Sequence, residues 1–370
     1  MKYFIIAGEA SGDLHGSNLV RELCRMDKHA EIKGWGGDLM EGVGVKVLKH
    51  YRELAFMGFA EVLLNLRTIL RNLELCKEQI KSFNPDVVIL VDYPGFNLRM
   101  ARFANESGFR VHYYISPQIW AWKQSRIEII RKYVHRMMVI LPFEKPFYEK
   151  LGYQVDFVGH PLLDAIANNY SFDKGIDNRP IVALLPGSRK QEISAMLPLM
   201  VSIAQKFPDH RFIIAAAPSI QKEFYDSFNA QGLIEVVYGN TYGLLSSARA
   251  ALVTSGTATL ETALFQVPQV VCYRGNPISY HIARWLVKVK YISLVNLVMD
   301  SECVTELIQQ DLNLKNLDLE LQKILPDSSE RRQILSNYNR LIEMLGGKGA
   351  SNRAASIILE DLAGDDAGTK

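Results

Sequence analysis

Short apolar runs alternate with amphipathic helical patterns along most of the chain. Such alternation predicts βαβ units, in which parallel strands are covered by helices on both faces of a sheet. The predicted strands are residues 3–7, 87–91, 111–115, 137–140, 181–185, 212–216, 236–238, 251–254 and 270–273. No strand is predicted after Cys303, where the pattern is helical. The sequence therefore predicts an α/β fold with parallel sheets.

Residues 167–179 are polar and loop-like, and a new strand pattern begins directly after them. A length of 370 residues also favours two domains. We predict an N-terminal domain at 1–170, a C-terminal domain at 171–345 and a helical tail at 346–370 that packs back on an N-terminal domain. Two such domains facing each other would bind ligand in a central cleft, at the carboxyl ends of their strands.

Composition narrows the classes of function. Hydrophobic residues make up 48% of the chain and charged residues 22%, as in soluble globular proteins. The net charge of +2 gives no global electrostatic basis for binding nucleic acid. Four cysteines without a CxxC pair predict reduced thiols in a cytoplasmic protein, with neither disulfides nor a metal site. No apolar stretch reaches eighteen residues, so we expect no membrane span, although the protein could lie on a membrane.

The first strand pattern runs into Gly-Glu-Ala-Ser-Gly-Asp, residues 8–13. Neither the dinucleotide pattern GxGxxG nor the P-loop pattern GxxxxGK[ST] is present. Carboxylates and a hydroxyl at a strand-to-helix turn favour a loop that contacts substrate. Its candidate residues are Glu9, Ser11, Gly12 and Asp13. For Asp13 an alternative stays open, because the same side chain would cap the helix that begins here.

Asp92 directly follows the apolar run 87–91 and precedes Tyr93 and Pro94. A carboxylate just past a buried parallel strand faces the ligand-binding edge, where low polarity raises its pKa. Asp92 is therefore the candidate general base. In the alternative interpretation it only satisfies amides of the turn. We assign Asn97 as the N-cap of the next helix.

Apolar side chains in the first half suggest contact with a sugar or a lipid. Trp120 and Trp122 precede a basic helix, which suits a sugar platform, a membrane-interface anchor or core packing. The helical pattern at 58–80 has a broad apolar stripe, and Met57, Leu64 and Leu75 lie outside that stripe. These three residues contact lipid in one interpretation and are covered by a neighbouring segment in the other.

Two turns in the second half carry glycine and hydroxyl residues at strand ends. The first contains Gly187, Ser188 and Arg189. A helix dipole disfavours a cation at its N-terminus, so Arg189 indicates an anionic ligand held by its guanidinium. We assign this turn to a diphosphate.

The second turn opens a helix after the run 251–254. Its candidate residues are Ser255, Gly256, Thr257 and Ala258. Free amides at 257–259 would suit a phosphate, and Glu261 would accept hydrogen bonds from the hydroxyls of a sugar. The turn therefore suggests a sugar nucleotide, with an ordinary helix start as the alternative. Asn296 stands in an apolar run, where its amide must pair with ligand or with backbone.

Together these motifs resemble the lipid-A-disaccharide synthase family, glycosyltransferase family 19. The resemblance rests on GEASGD, MGFAEVL, the strand ending at Asp92, SPQIWAWK, LPFEKPFY, VGHPLLDA, LLPGSRKQEI, TSGTATLE and YISLVNL. They lie in the family's order from Gly8 to about Glu306. GEASGD and SPQIWAWK are specific to the family, whereas the GSR and SGTATLE elements are shared more widely among GT-B glycosyltransferases.

The resemblance implies a GT-B fold, in which two Rossmann-like doubly wound domains face a central cleft. It implies a metal-independent inverting transfer, without cofactor, from UDP-2,3-diacylglucosamine (a UDP-diacylglucosamine) to 2,3-diacylglucosamine 1-phosphate (lipid X). Such enzymes are cytoplasmic and associate peripherally with the inner-membrane surface. Whether the chain forms a homodimer is left open.

The resemblance also implies residue roles. The family's essential aspartate falls on Asp92, its diphosphate-side arginine on Arg189, its donor-side glutamate on Glu261 and its late asparagine on Asn296. Gly95 replaces a second acidic residue that members often carry, so any role of that carboxylate is in doubt here.

Two alternatives belong to other classes. A UDP-GlcNAc 2-epimerase-like enzyme would share the GT-B architecture and act on a soluble sugar nucleotide. A non-catalytic sugar-nucleotide-binding protein would bind UDP without turnover.

Overall fold

The computed structural model describes residues 1–54, 66–166, 170–173, 175–218, 220–228, 234–275 and 290–366. The chain divides into two compact units, which we call unit 1 (Met1–Ala167 with Leu345–Lys370) and unit 2 (Asn168–Met344). The strands of unit 1 are β1 (Lys2–Ala7), β2 (Glu31–Gly36), β3 (Lys46–His50), β4 (Val87–Val91), β5 (Arg110–Tyr114), β6 (Arg136–Val139) and β7 (Asp156–Phe157). Those of unit 2 are β8 (Ile181–Leu185), β9 (Arg211–Ala216), β10 (Glu235–Tyr238), β11 (Ala248–Thr254), β12 (Gln269–Tyr273) and β13 (Glu306–Ile308).

Helices connect these strands. The α-helices of unit 1 are α1 (Ala10–Met26), α2 (Asp38–Glu41), α3 (Leu66–Phe83), α4 (Pro94–Glu106), α5 (Ile127–Tyr133), α6 (Glu144–Lys150) and α7 (Leu162–Ala165). Unit 2 has α8 (Lys190–Ala204), α9 (Lys222–Asp226), α10 (Thr241–Ser247), α11 (Thr257–Leu264), α12 (Leu294–Met299), α13 (Leu314–Ile324) and α14 (Ser329–Met344). Helix α15 (Ala350–Asp366) returns to unit 1.

Both sheets are parallel and doubly wound, as the alternating pattern predicted. The strand order is β3-β2-β1-β4-β5-β6-β7 in unit 1 and β10-β9-β8-β11-β12-β13 in unit 2. The order reverses between β1 and β4 in the first sheet, and between β8 and β11 in the second. In such sheets ligands bind at the reversal, beyond the carboxyl ends of the strands.

Each sheet separates two layers of core. In β1 the side chains of Phe4 and Ile6 enter one buried cluster, whereas Tyr3 and Ile5 enter another. Strand β8 divides its side chains between two clusters in the same way. Strands buried on both faces need continuous apolar sequence, which explains why these runs were readable as strands.

Helix α15 completes the core of unit 1. Its residues Ala354, Ile358 and Leu362 join the cluster formed by alternate residues of β1 and β4. The carboxylate of Asp164 accepts hydrogen bonds from the amide of Ser351 (2.9 Å) and from that of residue 349, at the start of the helix. A side chain from α7 therefore satisfies amides that the helix itself leaves unpaired.

Near its other end, α15 is joined to β5 by charge. Asp361 accepts hydrogen bonds from Arg110 Nε at 2.6 Å and lies 2.7 Å from Nε2 of the buried His112. These contacts lower the pKa of Asp361, with the hydrogen bond from His112 as the largest cause.

Strands β2, β3, β7 and β13 were missed, and β13 corrects the prediction that no strand follows Cys303. Strand β2 contains two glycines, β3 is a lysine-containing edge strand, and β7 and β13 have only two and three residues. None of them is a continuous apolar run. The edge strands β3, β7 and β13 do not need one, and the glycines of β2, which lies inside the sheet, interrupt its apolar pattern.

The predicted helix at 58–80 is seen as α3 from Leu66 onward. Leu75 is partly buried and packs against a core cluster of unit 1, which favours the interpretation that it is covered by the protein. Met57 and Leu64 lie outside the described residues. Within the described ranges, no helix has the length and apolar character needed to cross a membrane.

Candidate active site

In each unit, strand pairing brings two of the sequence motifs together. In unit 1, Ala7 pairs with Val91, so the loop that begins at Gly8 lies beside Asp92. In unit 2, Leu185 pairs with Val253, so the turns at 186–189 and 255–258 follow adjacent strands. Both pairs lie where the strand order reverses, which is the ligand-binding edge of such a sheet.

The main chain of Asp92 is held in an unusual conformation. Asp92 and Tyr93 have φ values of +47° and +49°, in the left-handed region that non-glycine residues rarely adopt. The carbonyl of Asp92 accepts hydrogen bonds from Asn97 Nδ2 at 2.8 Å and from the Tyr113 hydroxyl at 2.6 Å. Gly8 leaves room for the Tyr93 ring, since a Cβ there would lie 2.2 Å from it. The turn is thus fixed independently of the Asp92 carboxylate.

Asn97 does not cap helix α4. It lies inside the helix, and its amide nitrogen reaches back to the carbonyls at the ends of β1 and β4. The N-cap position belongs to Tyr93, followed by Pro94. The assignment of Asn97 as N-cap was therefore wrong, because helix α4 begins earlier than the pattern suggested.

Burial raises the pKa of the Asp92 carboxyl from 3.8 to about 7, and the charges of Glu9 and Glu144 add to this effect. The amide of Tyr93 donates to the carboxylate and opposes the shift, which is the contact that the alternative interpretation expected. Among the described residues, no lysine or arginine is close enough to reverse it. A carboxyl with this pKa can accept a proton near neutral pH.

Glu9 and Ser11 are exposed at the start of α1. They follow β1, which pairs with β4, the strand that leads to Asp92. Asp13 differs, because it is buried and its carboxylate accepts hydrogen bonds from the amides of Gly37 (2.8 Å), Leu39 and Met40 (3.1 Å each). It therefore secures the start of α2 rather than capping α1. Gly12 lets α1 approach β1 closely, because a Cβ added at this position would lie 3.3 Å from the Ala7 Cβ.

Glu144 was not singled out from the sequence. It is buried, and it accepts hydrogen bonds from Ser116 Oγ at 2.6 Å, Trp120 Nε1 at 3.2 Å and the amide of Leu141 at 2.8 Å. Burial raises its pKa. The Trp120 ring also packs edge-on against Phe143, with centroids 5.0 Å apart. Glu144 therefore ties the loop at 116–120 to α6.

The two tryptophans consequently do not form one exposed pair. Whereas Trp120 is tethered inward, Trp122 is 47% exposed. The Lys123 Nζ and the Arg126 guanidinium lie 4.5 and 5.2 Å from the Trp122 ring centroid. An aromatic ring with two cations suits the interface of an anionic lipid layer.

In unit 2, the turn after β8 is occupied by a side chain of the protein. Glu192 accepts hydrogen bonds from the amides of Ser188 (3.1 Å) and Arg189 (3.3 Å), and it pairs with Arg189 Nη1 at 3.0 Å. Gly187 has φ +122°, which favours glycine. Arg189 is the N-cap residue of α8, and Glu192 offsets its charge without any ligand.

The turn after β11 has the conformation that its glycine permits. Gly256 has φ +137° and is the N-cap residue of α11, without a side-chain cap. The expectation of a free amide at Thr259 was wrong, because this amide donates to the carbonyl of Gly256 at 3.1 Å. Thr257 and Ala258, at the first two positions of the helix, remain the candidate amide donors. Ser255 Oγ donates to the carbonyl of Ile292 at 2.8 Å, which anchors the turn.

Glu261 is positioned by aromatic residues. The Tyr242 hydroxyl donates to Glu261 Oε1 at 2.8 Å. The Tyr242 ring contacts Tyr170 and Phe265, with centroids 5.1 and 5.3 Å away. Burial raises the pKa of Glu261, and the hydrogen bond from Tyr242 opposes that shift. One carboxylate oxygen is thus held while the other can accept a further donor.

Asn296 pairs with the protein itself. It is fully buried, its Nδ2 donates to Glu306 Oε1 (2.9 Å) and to the Val304 carbonyl (2.8 Å), and its Oδ1 accepts from the amide of Cys303 at 2.8 Å. Of the two pairings left open, the structure has the one with the protein. Glu306 in turn accepts from the amides of residues 292 and 293. This network holds the segment to which Ser255 is anchored.

The side-chain partners of Glu144, Tyr242 and Glu306 lie 10 to 28 positions away in the sequence, so no local signal indicated these contacts. Glu192 could have been identified from the sequence as a helix cap, because a glutamate three positions after the N-cap is half of a capping box. Within the described ranges, no group of three or more His, Cys, Asp or Glu residues is placed to hold a metal ion.

Solved structures with low sequence identity share this architecture. A co-structure of S. aureus MnaA with UDP has a TM-score of 0.71 at 13% identity and covers 98% of this chain and 97% of that chain. A glycotransferase of kitacinnamycin has a TM-score of 0.69 at 13% identity, covering 98% and 99%. A putative UDP-N-acetylglucosamine 2-epimerase from Listeria monocytogenes has a TM-score of 0.68 at 14% identity, covering 96% and 95%. The chain therefore has the GT-B fold that glycosyltransferases and epimerases share.

Sequence relatives define the family. The family model for lipid-A-disaccharide synthetase matches residues 3–360. The lipid-A-disaccharide synthase of Geobacter sulfurreducens is 39% identical over 98% of this chain and 97% of its own length, and that of Syntrophus aciditrophicus is 39% identical over 96% of each. A Coxiella burnetii relative is 37% identical over 96% of each. The chain belongs to the lipid-A-disaccharide synthase family and is a glycosyltransferase of lipid A biosynthesis; the epimerase-like alternative gains no support.

Proposed function

We propose that the chain transfers 2,3-diacylglucosamine from its UDP donor to O6 of 2,3-diacylglucosamine 1-phosphate (lipid X). The products are the β-1,6-linked disaccharide 1-phosphate and UDP. Unit 1 binds the acceptor and unit 2 binds the donor. Family membership supports this reaction, and it matches the two separate sets of polar residues at the reversals of the two sheets.

The observation that carries the mechanism is the Asp92 carboxyl, whose pKa is raised to about 7. Ionised Asp92 takes the proton from the acceptor 6-hydroxyl as O6 forms a bond to the anomeric carbon of the donor. The bond between that carbon and the β-phosphate oxygen breaks, and its electron pair leaves with UDP. Attack from the face opposite UDP converts an α-linked donor into a β-linked product. A general base of this kind contributes roughly 10²–10⁴ to the rate.

Charge on the leaving diphosphate is stabilised by Arg189 and by amides of the turns at Gly187 and Gly256. A guanidinium and helix N-termini can stabilise such charge through oriented hydrogen bonds. Glu261, held through one oxygen by Tyr242, orients the ribose through the other. Asn296 and Glu306 do not contact the donor. They hold the segment at residue 292, to which Ser255 of the second turn is hydrogen-bonded.

The acyl chains of both substrates place the reaction at a lipid surface. We propose that the protein associates peripherally with the cytoplasmic face of the inner membrane, and that the exposed Trp122 with Lys123 and Arg126 is part of the contact. Tryptophan partitions to membrane interfaces, and the two cations are attracted to anionic headgroups.

The direct test is incubation with UDP-2,3-diacylglucosamine and lipid X in detergent, with mass spectrometry of the product. We expect a disaccharide phosphate and one equivalent of UDP. The kcat/KM of the wild type should rise with pH through about 7, because Asp92 must be ionised. Asp92→Asn should reduce kcat by roughly 10²–10⁴ and abolish this pH dependence. Near-normal turnover by that variant would show that another group is the base.

A further inference from the structure

The turn at 187–189 already contains an anion that belongs to the protein. Glu192 contacts both turn amides and the Arg189 guanidinium at 3.0–3.3 Å. Gly187 makes this possible, because a Cβ there would lie 2.7 Å from Glu192 Oε2. The donors that the proposed function assigns to the donor diphosphate are thus the donors that Glu192 occupies.

We propose that Glu192 is an internal competitor of the donor diphosphate at this turn. The inference rests on the proposed function, since it requires that the turn and Arg189 bind the diphosphate. A diphosphate that reaches these donors meets the Glu192 carboxylate at contact distance, and like charges repel strongly there. Donor binding therefore moves the Glu192 side chain away, and the carboxylate returns when UDP leaves. Its charge weakens UDP binding and accelerates release of the product.

The contacts of Glu192 exceed those of a helix cap. A capping box needs one hydrogen bond to the N-cap amide, and glutamine can make it as well as glutamate. Here the carboxylate also engages the preceding amide and the arginine. The side chains of Arg189 and Glu192 are 63% and 31% exposed, and solvent-exposed ion pairs are weak. A multiply charged ligand can therefore displace this carboxylate.

Glu192→Gln removes the negative charge of the side chain and keeps its ability to cap the helix. We expect UDP to bind the variant about two- to tenfold more tightly than the wild type, with slower dissociation, because an exposed charge contact is of that order. Uridine, which has no phosphate, should bind both proteins equally. The gain for UDP should shrink in 0.5 M salt. Glu330→Gln is the matched control, since Glu330 also lies in the first turn of a helix, and it should leave UDP affinity unchanged.

Calorimetric titrations of both nucleotides, with stopped-flow release of UDP, decide between three roles. Unchanged UDP affinity in the folded variant would reduce Glu192 to a helix cap. Weaker UDP binding would mean that Glu192 positions Arg189, and this too would overturn the proposal. A wild-type protein that binds no UDP would instead contradict the proposed function itself. The thermal midpoint of Glu192→Gln should stay close to that of the wild type, because glutamine keeps the cap.

Discussion

At the scale of single residues, Asp92 combines a proposed catalytic role with an unfavourable environment. Its carboxyl is partly buried beside Glu9, and two successive left-handed residues place it there. Environments that raise a carboxyl pKa favour the neutral form, so an ionised Asp92 reduces the stability of the fold. The position of Asp92 was predictable, because it directly follows an apolar run that the sequence identifies as a strand. The left-handed turn was not, since the Tyr113 hydroxyl that helps to hold it lies 21 positions away in the sequence, and Asn97 had been assigned to a helix cap instead.

Asp92→Asn should therefore stabilise the protein at pH 8. The folded pKa is raised from 3.8 to about 7, so no penalty exists below pH 3.8, and it grows with pH until about 7. We expect a gain of about 1–3 kcal/mol in the free energy of unfolding at pH 8, less than the full shift because the side chain is partly exposed. Urea unfolding at pH 4 and pH 8 measures it. Glu149→Gln, at an exposed site of unit 1, should show no such gain.

Tyr242 should affect donor binding more than turnover. Tyr242→Phe removes the hydrogen bond to Glu261 Oε1 while keeping the aromatic packing around it. We expect the KM for the UDP-sugar to rise about three- to tenfold, with kcat nearly unchanged, since a hydrogen bond contributes about 0.5–1.5 kcal/mol net. Steady-state kinetics with saturating acceptor provide the comparison. Tyr238→Phe, an exposed tyrosine of unit 2, is the control, and equal effects of the two changes would refute the role of Tyr242.

At the scale of elements, the sequence predicted the central strands and missed the peripheral ones. Strands β1, β4 and β8 are apolar because both faces are buried. Strand β13 is short and carries Glu306, whose carboxylate is needed at the loop that anchors Ser255. A functional polar residue within a three-residue strand removes the apolar pattern by which the strand would be detected. The charge contact of α15 with β5 was equally hidden, because unit 2 separates this helix from β5 in the sequence.

The charge contact between α15 and β5 should be a major support of unit 1. Asp361→Asn weakens its contacts with Arg110 and the buried His112, and we expect a loss of about 2–4 kcal/mol at pH 7. The folded pKa of Asp361 is lowered, so its stabilisation is present above pH 3.8 and disappears as the pH falls further. The difference between variant and wild type should therefore shrink towards pH 3. Urea unfolding at pH 7, 4 and 3 tests this, with the exposed Glu360→Gln as the neighbouring control.

At the scale of the whole molecule, membrane association should depend on one exposed ring. Trp122→Glu replaces an interfacial side chain beside Lys123 and Arg126 by an anion. We expect several-fold less protein to cosediment with phosphatidylglycerol vesicles, because glutamate both repels anionic headgroups and neutralises the adjacent cations. Leu319→Glu is matched in exposure, at 48% against 47%, and should bind vesicles normally. Equal binding of both variants would place the contact elsewhere on the molecule.

The return of α15 to unit 1 has a consequence for the order in which the molecule matures during translation. Unit 2 is continuous in sequence, so it has all its elements once Met344 has left the ribosome. Unit 1 is made first, yet a surface of its core stays open until residues 350–366 are synthesised. Exposed apolar surface on a nascent chain invites aggregation and chaperone binding. The first half to be translated is therefore the last to finish folding, and chaperone demand should be concentrated there.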